Sequence, residues 1–237
     1  MKIGIVQPRD VEGALRLTEA ALKEGAELVL LPEKWVREIE GVPLNQFRML
    51  ARTFTAHVIP GAFEDGVSVV APVFDGNGEV RTIAKKVHLF GKEKGRLYPG
   101  DKVISFSFRG VKFGLLICYD IDFPETVRSL FLKGVEVLLV PSRVPKEGIG
   151  VWRDYLRIRA IENRMAIINA NALDPPEFNG LSSAMIPVRK GNIVDVEMVA
   201  SLEDREQYAV FNVEPMSYLM FRTERIREYR NVEVEEI

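Results

Sequence analysis

The segment VKFGLLICYDIDFPETVR, residues 111–128, contains the pattern that decides the fold class. Its apolar beginning predicts a strand over 111–117, which forms a hairpin with the apolar run before it. Proline suits the first turn of a helix, so Pro124 indicates that a helix begins near Phe123. Cys118 is therefore predicted to lie on a turn between a strand and a helix. This order of elements is typical of an α/β domain.

The same alternation of short apolar runs and helical spacing continues on both sides of this segment. Helices are predicted over 11–22, 43–55 and 150–163. Strands are predicted over 2–6, 27–31, 67–74, 79–87, 103–108, 135–140, 165–170, 182–188, 193–197 and 207–213. The run EKWVRE after Leu31-Pro32 is interpreted as a loop. Because the sequence contains no linker or repeat, we expect a single domain over 1–237 with a loosely packed or partner-dependent tail, EYRNVEVEEI.

The composition restricts the protein to a few functional classes. At 237 residues with 47% hydrophobic content, the chain is long enough to bury a core without an external staple. Its 34 acidic and 32 basic residues nearly balance and form no long run of one sign, so no nucleic acid partner is expected. No apolar stretch approaches the ~20 residues of a membrane span, and the start lacks a signal-peptide core. We therefore expect a cytoplasmic protein with no membrane partner.

The small number of cysteine and histidine residues limits the chemistry further. A single cysteine allows no intramolecular disulfide and no zinc site built on paired thiolates. With only His57 and His88, a histidine-rich metal centre is excluded, and a Cys–His dyad would have to use one of these two. No metal is expected, and no role is assigned to His57.

Several apolar runs end in a polar or reactive side chain, namely Glu33, Lys86, Cys118 and Asn169. Because ligand sites in layered α/β proteins form where strands end, we expect these four groups to face one pocket. Backbone N–H groups in the turn at Cys118 would lower the pKa of the thiol and donate to an oxyanion. The alternative is a free cysteine that is buried as a small apolar side chain.

Glu33, Lys86 and Glu93 are the candidate partners of the thiol. A carboxylate in an apolar pocket has a raised pKa, so Glu33 would accept the thiol proton and later donate it to departing ammonia. The Lys86 ammonium would stabilise the oxyanion, and Glu93 would hold Lys86 or orient water. The alternative for each is a cap or a solvated surface charge. Arg143 and Trp152 are placed near the pocket because they follow the next strand and open the next helix, although packing explains them equally well.

Three motifs occur in a fixed order along the chain: LPE at 31–33, KKVHLFGKE at 85–93 and CYDIDFPETVR at 118–128. Together they resemble the nitrilase superfamily of carbon-nitrogen hydrolases. The likeness begins at the strand that ends in Gln7 and continues through ENRMAIINAN at 162–171 and GLSSAMIPVRKGNIV at 180–194. It therefore covers most of the chain, and the combination of motifs is specific.

The resemblance implies a Glu–Lys–Cys triad, which falls on Glu33, Lys86 and Cys118, with Glu93 as an additional active-site glutamate. In the implied mechanism the thiolate attacks the substrate carbon, and Lys86 with the Tyr119 backbone N–H holds the oxyanion. Water then hydrolyses the thioester. Neither a metal nor an organic cofactor is implied.

The resemblance also implies a fold, an assembly and a substrate class. The fold is a four-layer αββα sandwich, and the chain forms a homodimer or a higher homo-oligomer through helices near the nucleophile. Nitrilases proper carry Trp-Glu after the cysteine, whereas Tyr119-Asp120 resembles the amidase and carbamoylase branches. A small amide is therefore the expected substrate, and a small aliphatic nitrile is the alternative.

Two hypotheses from other functional classes remain as alternatives. A metal-dependent phosphoesterase would bind Mg²⁺ through Glu33 and complete its site with Asp120, Asn169 and His88. This reading gives no role to Cys118 or Lys86. The other alternative is a non-catalytic interaction protein that retains a hydrolase fold.

Overall fold

Two β-sheets packed face to face form the centre of the computed structural model, which describes residues 1–236. The first sheet contains eight strands: β1 Lys2–Gln7, β2 Leu28–Leu30, β3 Glu33–Glu38, β4 His57–Ile59, β5 Ala62–Glu64, β6 Val69–Phe74, β7 Val80–Lys85 and β16 Gln207–Asn212. Seven of them follow the order β16-β1-β2-β4-β6-β5-β3, and β7 pairs with β6. The strands β1, β2 and β4 run parallel at its centre.

The second sheet contains six strands: β8 Ile104–Phe108, β9 Val111–Leu115, β10 Val137–Ser142, β11 Ala166–Asn171, β14 Ser183–Lys190 and β15 Ile193–Ser201. Their order is β15-β14-β11-β10-β9-β8, and β9, β10 and β11 are parallel. A separate two-stranded ribbon consists of β12 Leu173–Asp174 and β13 Phe178–Asn179.

Helices cover the outer faces of both sheets. They are α1 Val11–Lys23, α2 Leu44–Phe54, α3 Pro124–Leu132, α4 Ile149–Asn163 and α5 Met216–Glu228. Short 3₁₀ turns lie at Ile39–Gly41, Gly91–Glu93, Cys118–Asp122 and Lys146–Gly148. None of the helices described in residues 1–236 combines the length and apolar character needed to cross a bilayer.

Side-chain alternation along the central strands produces the four layers. Ile3 and Ile5 of β1 join the core between the two sheets, whereas Val6 joins the core beneath α1 and α2. In β2, Leu28 likewise joins the core between the sheets, and Val29 joins the core beneath α1 and α2. On the other side, α3 and α4 pack on the second sheet and share its core. This arrangement confirms the predicted αββα sandwich.

The structure corrects several parts of the sequence-based element assignment, including β3 and α5. The run EKWVRE is strand β3 and not a loop; the side chains of Glu33 and Trp35 are both buried. Helix α5 was not predicted, because polar residues dominate its sequence. It is held on the fold by a few contacts, such as Tyr218 Oη donating to Glu136 O at 3.1 Å.

The predicted loosely packed tail begins one residue too early, since Glu228 is the last residue of α5. Residues 229–236 form neither helix nor strand and are exposed, with Val232 and Val234 at 78% and 94% relative exposure. The last residue of that tail, 237, lies outside the described residues.

Candidate active site

Cys118 lies on a sharp turn between β9 and α3. Its φ of 46° is in the left-handed region, which a residue with a side chain rarely adopts. The 3₁₀ turn that begins at Cys118 leads into α3, whose first residue is Pro124, as the sequence predicted. The backbone thus changes direction sharply at the thiol, and such strain concentrates at functional sites.

Two carboxylates and an ammonium are buried together beside this turn. Lys86 follows the last residue of β7, and its Nζ donates to Glu33 Oε1 at 2.8 Å and to Glu93 Oε1 at 3.1 Å. Lys86 is 1% exposed and Glu33 is 2% exposed. Charges at this depth are stable only when they are paired and hydrogen-bonded, so the three side chains form one electrostatic unit.

The surroundings of Glu33 differ from those expected. Instead of an apolar pocket, the Glu33 carboxylate has the Lys86 ammonium as its neighbour. The same carboxylate lines the cavity that contains Cys118 and raises the pKa of the thiol. A base that shares a cavity with the nucleophile and is paired with a fixed cation can pass a proton without leaving its place.

The pKa of the Cys118 thiol is raised and not lowered as the sequence predicted, so the thiol is protonated, whereas Lys86 is charged. Burial, followed by the neighbouring Glu33 carboxylate, raises the pKa of Cys118, while Lys86 and the backbone N–H of Arg143 act in the opposite direction. Burial alone would lower the pKa of Lys86, but Glu33, Cys118 and Glu93 outweigh it and raise that pKa. The thiol therefore needs a base at the moment of attack, and Lys86 remains an ammonium.

Two cavities meet at Cys118. The larger, about 600 Å³, is lined by Glu33, Lys86, Glu93, Cys118 and Arg143 together with further charged residues. The smaller, about 250 Å³, is more apolar; Cys118 and Arg143 also line it, as do Tyr119 and Trp152. Six residues that the sequence singled out therefore line cavities that contain Cys118, namely Glu33, Lys86, Glu93, Tyr119, Arg143 and Trp152.

Arg143 and Trp152 are held by specific contacts. Arg143 Nη1 donates to Lys34 O at 3.0 Å and Nη2 to Asp174 Oδ2 at 2.7 Å. Trp152, in the first turn of α4, donates from Nε1 to Asn169 Oδ1 at 3.1 Å. Both side chains are thus fixed where they border the cavities.

Asn169 does not reach the site as expected. It lies within β11 and not at its end. Its Nδ2 donates to Val140 O and to Ser142 Oγ, both at 2.8 Å. Its role is to hold β10 and Trp152 in place, outside both cavities.

The residues of the alternative metal site are also not gathered. Glu33 pairs with Lys86, while Asp120 pairs with His88 Nδ1 at 3.1 Å. Asn169 is buried behind Trp152. Residues 1–236 contain no group of three His, Cys, Asp or Glu side chains arranged to hold a metal ion. The geometry therefore gives the phosphoesterase reading no support.

Asp120 connects the lysine segment to the nucleophile turn. Its Oδ1 accepts from the backbone N–H groups of Val87 at 3.1 Å and His88 at 2.7 Å. Its Oδ2 accepts from Ile117 N–H at 3.1 Å. One buried carboxylate thus bridges the residues next to Lys86 and next to Cys118, a function that sequence reasoning did not assign to it.

Sequence reasoning also missed Lys34 and Glu64, which line the larger cavity. Lys34 Nζ lies 2.5 Å from Glu93 Oε1 and 2.9 Å from Glu64 Oε1. The only sequence signal was the position of Lys34 next to Glu33, and regular strand alternation would place these neighbours on opposite faces.

Comparison with known proteins identifies the family of this chain. The profile of the family described as Carbon-nitrogen hydrolase matches residues 7–186, which include Glu33, Lys86, Glu93 and Cys118. The chain belongs to the carbon-nitrogen hydrolase family. The predicted resemblance to the nitrilase superfamily and its amidase-like branch is thereby confirmed.

Curated relatives of this carbon-nitrogen hydrolase include amidases and a nitrilase. It is 28% identical over 218 residues to 2-oxoglutaramate amidase of Bacillus subtilis, covering 79% of this chain and 84% of the relative. It is 27% identical to the omega-amidase of Xenopus tropicalis and 29% identical to a nitrilase of Pyrococcus abyssi, with 70% coverage of each chain in both comparisons.

Solved structures of an amidase from Nesterenkonia sp. AN1, a nitrilase-superfamily member, share the fold. One mutant superposes with a TM-score of 0.75 at 26% identity and covers 96% of this chain and 95% of its own. Another, which covers 97% of both chains at the same TM-score, shows covalent addition of the acetamide moiety of fluoroacetamide at the active site cysteine. The carbon-nitrogen hydrolase described here is accordingly an amidase-like enzyme.

Proposed function

We propose that this enzyme hydrolyses small amides through a thioester on Cys118, with Glu33 as the base. The observation that carries the proposal is the buried Glu33–Lys86 pair, which lines the same cavity as Cys118 and whose carboxylate raises the pKa of the thiol. Glu33 takes the thiol proton as sulfur attacks the amide carbon. The carbonyl oxygen becomes an oxyanion, which the Lys86 ammonium and the Tyr119 backbone N–H stabilise.

Collapse of this intermediate breaks the carbon–nitrogen bond. Glu33 gives its proton to the leaving nitrogen, so that ammonia departs and an acyl thioester remains on Cys118. Glu33 then removes a proton from water, which attacks the thioester. The carboxylic acid leaves and the thiol is restored. Glu93 holds Lys86 throughout, because its carboxylate accepts from Lys86 Nζ.

We propose further that the preferred amide carries a carboxylate. Basic side chains outnumber acidic ones in the lining of the larger cavity, and Arg9, Arg37 and Lys92 are exposed at its opening. Such an excess of positive charge attracts an anionic ligand. The names of two relatives, 2-oxoglutaramate amidase and omega-amidase, are in line with a substrate that combines an amide and an acid.

Ammonia release from a substrate panel tests both proposals. The panel contains neutral aliphatic amides, ω-amides of dicarboxylic acids of matched length, N-carbamoyl compounds and nitriles, assayed with wild type and Cys118→Ala. We expect release by wild type alone, with kcat/KM about tenfold higher for the ω-amides and a difference that shrinks in high salt. Release by Cys118→Ala would contradict the thioester mechanism, and equal kcat/KM values would contradict the carboxylate preference.

We also propose that two copies form a homodimer through the helices next to the nucleophile. Apolar side chains are exposed on α3 and α4, namely Leu132, Val151 and Ile158. Sedimentation at micromolar concentration should give the dimer mass, and a monomer would contradict the proposal. The single-domain organisation and the cytoplasmic location stay predictions.

A further inference from the structure

Lys34 has a backbone conformation that is unusual for lysine. Its φ of 47° lies in the left-handed region. In a regular strand its side chain would point away from that of Glu33. Instead, both side chains line the larger cavity, and the pairing of β3 with β5 is irregular between Glu33 and Glu38. The strained backbone therefore turns a second ammonium into the active site.

This ammonium shares a carboxylate oxygen with the lysine of the proposed triad. Lys34 Nζ lies 2.5 Å from Glu93 Oε1, and Lys86 Nζ lies 3.1 Å from the same atom. The Lys34 side chain is 14% exposed, so the contact is largely shielded from water. The Glu93 carboxylate is thus divided between two cations.

Residues outside the proposed triad hold Lys34 in place. Its Nζ lies 2.9 Å from Glu64 Oε1. Arg96 binds both oxygens of Glu64 at 2.6 and 2.7 Å. The hydrogen bond from Arg96, followed by that from Lys34, lowers the pKa of Glu64 to about 2 against the effect of burial. Arg143 fixes the backbone of Lys34 by donating to its carbonyl oxygen. Both the ammonium group and the backbone of Lys34 are therefore held in place, unlike those of a solvated surface lysine.

We propose that Lys34 is a positioning residue for the amide hydrolysis proposed above, acting through Glu93 on Lys86. An ammonium has three N–H donors. Lys86 directs two of them to Glu33 and Glu93, which leaves one for the oxyanion. Because Lys34 neutralises part of the charge on Glu93, Lys86 is not drawn fully onto that carboxylate. The inference rests on the proposed function, since it assigns Lys34 a part in that reaction.

The balance at Glu93 gives the proposal a pH signature. Burial raises the pKa of Glu93, but Lys86, the Lys34 hydrogen bond and the Phe90 backbone N–H outweigh it and lower that pKa. Removal of the Lys34 ammonium takes away one of these opposing effects. The pKa of Glu93 then rises, and activity that needs the ionised carboxylate is lost at a higher pH as the solution is acidified.

Four variants test the inference. Lys34→Gly and Lys34→Asn both suit a left-handed backbone, so they remove the ammonium and keep the turn. Lys34→Arg keeps the charge. Lys94→Met, which removes an exposed lysine next to Glu93 in the chain, is the matched control. The assay measures kcat, KM and the pH profile with a neutral aliphatic amide, so that attraction of an anionic substrate plays no part.

We expect Lys34→Gly and Lys34→Asn to lower kcat about ten- to a hundredfold with KM changed less than about threefold. In both variants the acid limb of the pH profile should move to higher pH. Lys34→Arg should retain most of the wild-type kcat, and Lys94→Met should match wild type. Melting curves of both uncharged variants should stay cooperative. Wild-type kcat with an unmoved acid limb, or a rise in KM alone, would overturn the role of Lys34 while leaving the proposed function intact. If wild type released no ammonia from any amide, the proposed function itself would fail.

Discussion

Substitution of Lys86 by methionine separates the structural from the catalytic contribution of the buried charges. Methionine keeps an unbranched side chain of similar length and removes the ammonium. Glu33 then loses its partner at 2.8 Å, whereas Glu93 retains Lys34. The variant therefore leaves one buried carboxylate, at 2% exposure, without a cation.

The size of the effect follows from this burial. Removal of one partner of a buried ion pair costs about 3–5 kcal/mol of unfolding free energy, because the other charge remains desolvated. A second change, Glu33→Gln, removes that charge, so Lys86→Met/Glu33→Gln should recover more than half of the loss. Amide hydrolysis should be absent in both variants, since neither has the ammonium that stabilises the oxyanion.

Urea unfolding followed by circular dichroism, together with ammonia release, measures the two effects. Lys85→Met is the matched control, because Lys85 is the neighbouring lysine and is exposed. It should change the unfolding free energy by less than about 0.5 kcal/mol and leave the activity unchanged. The reasoning is refuted if Lys86→Met is as stable as Lys85→Met, or if it retains wild-type activity.

Two further substitutions address the buried side chains of His57 and Asp120. Burial, then Arg81, lowers the pKa of His57 from 6.5 to about 4. The unfolded chain thus takes up this proton first, and stability is lost as the pH falls from 6.5 towards 4. Between pH 7.5 and pH 5, wild type should therefore lose about 2 kcal/mol more unfolding free energy than His57→Leu, as measured by urea titration. An equal loss in the two proteins would contradict this. Asp120→Asn removes an acceptor of backbone N–H groups, so kcat should fall at least about tenfold while KM changes little; wild-type kcat would show that the bridge is dispensable.

Local sequence signals were sufficient for the turn at the nucleophile. The apolar run before Cys118 and the proline at 124 are both short-range features, and the structure has a strand, a 3₁₀ turn and a helix there. The placement of Glu33 and Lys86 was also predictable, because each follows an apolar strand run that the sheet brings to the same edge.

Features that depend on tertiary contact were not predictable from the sequence. Lys34 enters the cavity only because its backbone departs from strand alternation, and no residue type at that position signals a positive φ. Glu64 and Arg96 come from separate segments that the fold brings together. Asn169 was predicted to face the pocket, and that prediction was wrong. Its strand continues past it to Asn171, so the side chain is enclosed by β10 and α4.

Helix α5 shows why a weak pattern misleads. Its buried side chains are few, namely Tyr218, Phe221 and Arg222. Arg222 is buried because its Nη2 donates to Phe131 O and Val135 O, and not because it is apolar. A helix held by only two aromatic core residues, Tyr218 and Phe221, and by hydrogen bonds to distant carbonyl groups leaves little apolar periodicity in the sequence.

The central claim is the acyl thioester on Cys118, and mass spectrometry of the acid-quenched enzyme tests it most directly. Wild type and Cys118→Ala are mixed with an excess of the amide that turns over most slowly, quenched at intervals and digested. The account predicts that the acyl mass appears on the peptide containing Cys118 in wild type, decays as substrate is consumed and never forms in Cys118→Ala. Ammonia release by Cys118→Ala at the wild-type rate, with no acyl adduct on the wild-type peptide, would contradict it.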